Sequence, residues 1–271
     1  MRRGDQRRGE KIRASWTDGR SRAGLPIMLV AFISDIHGNL PALEAALTDA
    51  RVRGAEKIYC AGDLTGYGPF PGEVCRILAG QQITTIIGNY DAKVIAALHR
   101  SADLKGSMKP GKWKILEWTC RHIDGNAERF LSSLPPLHRE TLAGRFELLM
   151  VHGSPVSAED AIYPSITPYG LKKKLAGTRV HILVCGHTHI PFVRRVAGAL
   201  VVNCGSAGHP VDGDPRPAYA LLKMQQGKPP SARIISFDYP KEGLFGAIER
   251  SSLPRSLSAD FSEGNKKREM P

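Results

Sequence analysis

No apolar run in this 271-residue chain approaches the roughly 20 residues that a membrane-spanning helix needs, so no membrane partner is expected. The longest candidate near the start, residues 25–33, is too short for a span and lacks a small-residue cleavage site, which argues against a secretory signal. Cysteine is sparse: five residues (Cys60, Cys75, Cys120, Cys185 and Cys204), odd in number and without Cys-x-x-Cys spacing. That pattern excludes a disulfide framework and makes thiolate metal ligation a poor reading. Buried free thiols in a reducing, cytoplasmic setting are expected instead. There is no internal repeat and no low-complexity segment outside the termini. Acidic residues are also short, with 26 against 38 basic ones and a net charge of +12.

The excess charge is uneven. Residues 1–23 hold eight basic and three acidic side chains and almost no apolar periodicity. Residues 1–27 therefore read as a basic disordered extension. Three readings stay open: an arm that touches nucleic acid, a plain solvated extension, or sequence upstream of a natural start at Met28. Residues 28–250 read as one domain, and residues 251–271 as a polar flexible tail. A hydrophobic content of 42% is enough for a substantial core. The sequence leaves the oligomeric state open.

Within the domain, apolar runs alternate with amphipathic stretches. Ile27 to Ile33 predicts a buried strand, and Leu40, Leu43, Leu47 and Ala50 recur at helical spacing. Lys57 to Ala61 predicts a strand, Pro71 to Ala79 a helix, Ile83 to Ile87 a strand and Ala92 to Leu98 a helix. This strand–helix alternation implies parallel crossovers. Residues 111–131 read as helical, with Trp113, Leu116, Trp118 and Phe130 as core anchors. The second half is β-rich, with strands expected at 146–151, 180–185, 192–196, 200–203, 219–222 and 233–237. Two facing sheets with helices outside accommodate the whole pattern.

Five polar clusters follow apolar runs: Asp35-Ile36-His37, Gly62-Asp63, Gly88-Asn89-Tyr90-Asp91, His152-Gly153 and Gly186-His187-Thr188-His189. Each lies just beyond a predicted strand, at the sheet edge where open α/β folds bind ligands. Taken singly, Asp63 reads equally as a turn former and Asn89 as a helix cap. Jointly they supply seven metal-ligand side chains: Asp35, His37, Asp63, Asn89, His152, His187 and His189. Carboxylate, imidazole and amide donors without sulfur suit divalent Mn, Fe, Co, Ni or Zn. A carboxylate such as Asp63 can bridge two such ions about 3.5–4 Å apart, and a hydroxide held between them would attack phosphorus in line.

At these residues the chain resembles the calcineurin-like metallophosphoesterase superfamily, in particular small prokaryotic phosphoesterases whose first motif reads Ser-Asp-Ile-His-Gly-Asn. The resemblance covers about residues 28 to 240. It implies an α/β fold, a four-layer α/β/β/α sandwich with two mixed β-sheets. It also implies two divalent ions, one held by Asp35, His37, Asp63 and His189, the other by Asp63, Asn89, His152 and His187. The expected activity is hydrolysis of a small phosphoester, with Asp63, Asn89, Tyr90 and His152 as catalytic candidates. The alternatives are a phosphomonoesterase or protein phosphatase, a dinucleoside polyphosphate hydrolase, or a non-catalytic interaction module. The full complement of seven ligand positions argues against the last.

One departure from the family pattern is Tyr90, where the third motif usually carries histidine. An imidazolium there would attract a monoester dianion more than a diester monoanion. Tyrosine donates a hydrogen bond without the positive charge, so a phosphodiester preference is expected. The departure also leaves the role of Asp91 open. Asn39, Tyr67, His209 and Arg216 are candidate substrate contacts. For Tyr67, His209 and Arg216, loop packing without catalytic duty is an equal reading.

Overall fold

The computed structural model describes residues 27–264, without the side chains of residues 101–104. The expected basic extension up to residue 26 and the last seven residues lie outside the described part. Two five-stranded mixed sheets face one another, and helices cover their outer faces.

The first sheet is built on β1 (Ile27–Ile33), β2 (Lys57–Cys60) and the two-residue β3 (Thr84–Thr85), all parallel. It is extended by antiparallel β9 (Ala218–Gln225) and β10 (Ser231–Ser236), giving the order β10-β9-β1-β2-β3. The second sheet centres on parallel β5 (Phe146–Val151), β6 (Ile182–Cys185) and β8 (Ala199–Asn203). Antiparallel β4 (Leu137–Leu142) and β7 (Phe192–Val196) form its edges, in the order β4-β5-β6-β8-β7.

The continuous apolar sequence of β1 is explained by burial on both faces. Val30 and Phe32 meet the second sheet, together with Tyr59, Leu148, Met150, Val184 and Leu222. Leu29, Ala31 and Ile33 face the helices. That helical layer contains α1 (Leu40–Val52), α2 (Pro71–Gly80), α3 (Asn89–Lys105), α4 (Pro110–Arg121) and α5 (Gly125–Ser133). On the other side α6 (Pro168–Leu175) buries Leu171 against Leu149, Leu183 and Val201. Proline occupies the first position of α2, α4 and α6, where its missing N–H costs no hydrogen bond.

The differences from the sequence reading have local causes. The helical stretch 111–131 is two helices, because Asp124 starts α5 by accepting from the N–H groups of Asn126 and Ala127. The expected third strand shrinks to two residues, as Ile87 turns away to bond the Pro135 carbonyl. Strand β4 gave no apolar signal because it is an edge strand whose only buried residue is Leu142. The expected flexible tail is a correction. After α7 (Glu242–Arg250) the chain forms α8 (Ser256–Glu263), whose Leu257 and Phe261 are buried in the first core. Two apolar residues one turn apart suffice to dock so short a helix, although its composition is otherwise polar. All five cysteines are free, and four are buried, Cys120 being half-buried. Among the described residues no helix is long and apolar enough to cross a membrane.

Candidate metal centre

The parallel strands of both sheets end at one rim, and the loops leaving them carry the site. Asp35 and His37 follow β1, Asp63 follows β2, and Asn89 opens α3 just after β3. His152 follows β5, while His187 and His189 follow β6. Two loops zip together beyond the ends of their strands. The N–H of Asp35 donates to the Gly62 carbonyl (2.9 Å), that of His37 to Asp63 (3.0 Å) and that of Gly38 to Leu64 (2.8 Å). The two sheets are joined at the same place, where Asp35 Oδ2 accepts from the His187 N–H at 2.9 Å and the Ala207 N–H donates to the Ser34 carbonyl at 2.8 Å. This join demands close approach. A Cβ at Gly186 would stand 2.0 Å from Ser34 Oγ, and one at Gly88 would stand 2.1 Å from Asp63 Oδ1.

Asp35, His37, Asp63, His187 and His189 all have left-handed backbones, with φ between 50° and 65°. Asp and His tolerate this region better than most residues, but each instance still costs on the order of 1–3 kcal/mol. Strain concentrated on five of seven candidate ligands is tolerated because the interlocked loops above enforce it.

Three imidazoles are aimed by backbone carbonyls. Nδ1 of His37 donates to Thr65 O (2.9 Å), that of His152 to Ala61 O (2.8 Å) and that of His189 to His209 O. A carbonyl only accepts, so each Nδ1 carries the proton and each Nε2 is turned into the site. His37 Nε2 and His189 Nε2 lie 3.2 Å apart. Asp63 Oδ2 stands 3.6 Å from His37 Nε2 and 3.4 Å from His152 Nε2, one imidazole from each of two groups of donors. Those groups are Asp35, His37 and His189 on one side, and Asp35, Asp63 and His152 on the other. Asn89 Oδ1 lies 2.9 Å from His152 Nε2 and 3.1 Å from His187 Nδ1, bringing the last two candidates to the second group.

These residues fit a metal. Two imidazole lone pairs directed at each other over 3.2 Å are mutually repulsive unless a cation lies between them. Asp35 Oδ1 is buried and accepts no hydrogen bond, a costly state for a carboxylate that is not a ligand. Electrostatics agree. Burial opposes ionisation of Asp35, yet the imidazoles of His189, His152 and His37 hold it well below the usual carboxylate range. Asp63 is likewise lowered against burial by His152 and His37. Burial pulls His37 down to about 4. Burial, then the neighbouring His152, lowers His187. His152 moves the other way, to about 10, because the charges of Asp63 and Asp35 outweigh its burial.

One resident proton on His152 has a measurable consequence. Below about pH 10 that proton competes with a metal, so affinity rises with pH toward that value. Loading metal-free protein at neutral pH is expected to release about one proton from this site. Calorimetry in buffers of different ionisation enthalpy reads it, and a buffer-independent heat would show that His152 is already neutral.

The other candidates are placed differently. Asn39 corrects the expectation of a substrate contact, since its polar atoms are used by the fold. Its Oδ1 caps α1 through the Ala42 N–H, and its Nδ2 donates to Gly208 O and the Tyr239 hydroxyl. Arg216 pairs with Asp214 on its own exposed turn, Nη2 to Oδ2 2.7 Å. Tyr67 stacks on His209 with ring centroids 4.7 Å apart and sets its edge against His37 at 4.8 Å. Tyr90 lies beside Tyr67 at 5.3 Å and edge-on to His37 at 6.0 Å. These rings line the His37 side of the centre.

Two further residues support the site. Asp91, wholly buried, accepts from the N–H groups of Leu64, Thr65 and Gly88 and from the Thr65 hydroxyl, at 2.8–3.1 Å. It therefore fastens the Asp63 loop to the start of α3. Burial and the nearby Asp63 raise its pKa to about 6. Ser206 donates its hydroxyl to the Asp35 carbonyl at 2.6 Å.

Residues 28–227 match the calcineurin-like phosphoesterase superfamily domain. An uncharacterised protein of Methanocaldococcus jannaschii is 30% identical over 250 residues, covering 84% of this chain and 95% of that protein. The phosphodiesterase YfcE of Escherichia coli is 25% identical over 198 residues, covering 72% and 88%. The crystal structure of a metallophosphoesterase from Sphaerobacter thermophilus superposes with a TM-score of 0.71 at 26% identity, over 88% of this chain and 99% of that one.

Proposed function

Because the chain belongs to the calcineurin-like phosphoesterase superfamily, we propose that this metal-dependent phosphoester hydrolase works through a binuclear centre and prefers phosphodiesters. The observation that carries the proposal is the place of Asp63 Oδ2, 3.6 Å from His37 Nε2 and 3.4 Å from His152 Nε2, within reach of an imidazole from each donor group. Asp35, His37, Asp63 and His189 would hold one ion, and Asp63, Asn89, His152 and His187 the other. Two divalent ions held there would supply Lewis-acid neutralisation of the phosphoryl oxygens and an activated water as nucleophile.

The chain's own residues do the rest. The Thr65, Ala61 and His209 carbonyls keep three imidazoles in the ligating tautomer before any substrate arrives. Cys60, Cys185 and Cys204 sit at the ends of site strands, but burial pushes their thiols up, so none is a competent nucleophile. That favours direct hydrolysis over a covalent enzyme intermediate. Tyr90 is buried and its hydroxyl is pushed well above the ordinary phenol range, so this side of the site presents no positive charge. A diester monoanion loses less by that than a monoester dianion. The relative named as a phosphodiesterase supports the same reading.

The test uses metal-stripped protein reloaded with Mn, Ni or Zn. The expected kcat/KM on bis-p-nitrophenyl phosphate exceeds that on p-nitrophenyl phosphate by about tenfold, or about 1.4 kcal/mol. Tyr90→His should narrow the ratio. A monoester turned over faster by the unmodified protein overturns the diester preference.

A further inference from the structure

Resting on that two-ion reading, we propose that Glu159 is a positioning residue that sets the orientation of the Asn89 amide toward the second ion. An asparagine amide has two ends of similar shape, and only the oxygen can ligate a cation. Asn89 Oδ1 faces His152 Nε2 and His187 Nδ1, so its Nδ2 points away from the ligand cluster and needs an acceptor. Glu159 Oε2 accepts from Nδ2 at 3.2 Å. The other carboxylate oxygen, Oε1, is held by Lys93 Nζ at 2.8 Å. Lys93 lies one turn beyond Asn89 on α3, so the helix carrying the amide also carries the cation that steadies its partner.

The charge arrangement favours one orientation. A rotated amide would turn Oδ1 toward the Glu159 carboxylate, exchanging a hydrogen bond for repulsion at that end, and would withdraw the oxygen donor from the side lined by His152 and His187. The Glu159–Lys93 pair is itself exposed, with side-chain exposures of 60% and 37%, and such pairs add little to stability. Replacing Glu159 should therefore act on the metal centre and leave the fold alone. The sequence offered no signal for this residue, which lies in a polar loop with no motif of its own.

The test is Mn or Zn titration of metal-free protein, unmodified and with Glu159→Ala or Glu159→Gln, beside thermal melts of the metal-free forms. Two equivalents are expected to bind the unmodified protein. Glu159→Ala should weaken one equivalent by about tenfold or more, the usual effect of removing a partner that orients a ligand. It should leave the other equivalent and the melting temperature unchanged. Glu159→Gln, which still offers an oxygen acceptor, should recover most of the loss. Two equivalents bound equally well by Glu159→Ala overturn the role of Glu159 while leaving the binuclear reading intact. Equal weakening of both equivalents also overturns it. A single equivalent in the unmodified protein fails the binuclear reading, and this inference falls with it.

Discussion

Asp63→Asn is expected to lower metal-dependent kcat/KM by about a thousandfold or more, at least about 4 kcal/mol of transition-state stabilisation. Asparagine keeps nearly the same volume, and its Oδ1 can still accept the Tyr90 N–H that now donates to Asp63 Oδ1 at 2.7 Å. What it removes is the negative oxygen between His37 and His152. The charge balance shifts as well. His152 owes its raised pKa first to Asp63, so in the variant it should lose much of its hold on a proton. Steady-state kinetics with saturating Mn, together with metal stoichiometry, checks the prediction. Near-normal turnover by a folded Asp63→Asn protein would mean that no bridging carboxylate is needed.

Asp91→Ala is expected to destabilise the protein by about 4 kcal/mol. It strands four buried donors, the N–H groups of Leu64, Thr65 and Gly88 and the Thr65 hydroxyl, each worth roughly 1–3 kcal/mol when left unsatisfied, less whatever water recovers. For a domain of this size that is a fall in melting temperature on the order of 10 °C. The loss should appear without metal and without substrate, because Asp91 holds the loop that carries Asp63 and does not itself ligate. Calorimetric melts of metal-free protein decide it. An unchanged melting temperature with lost activity would place Asp91 in the chemistry instead. Asp63→Asn and Asp91→Ala thus separate two jobs expected of neighbouring carboxylates: one as a ligand, the other as a brace for the first.

Much of this was legible in one dimension. Seven candidate ligands and the strands before most of them follow from the placing of polar clusters after apolar runs. That pattern is local, since a buried parallel strand must be apolar along its length and its ligand-bearing loop begins where the apolar run stops. Helix α8 was not legible. Its docking depends on Leu257 and Phe261 finding a core supplied by residues far away in the chain. Asn39 was misread for a related reason: its Gly208 and Tyr239 partners lie 169 and 200 residues away.

Donor atom types and their order along the chain are covalent facts, and they limit the chemistry open to this protein. Tertiary structure alone decided how those donors meet. The carbonyls of Ala61, Thr65 and His209 select tautomers, Asp91 braces the distant loop that carries Asp63, and Glu159 accepts from the Asn89 amide 70 residues away. Backbone carbonyls are the same in every residue and carboxylates are common on every surface. Only the closing of two sheets onto one rim gives these particular ones a direction.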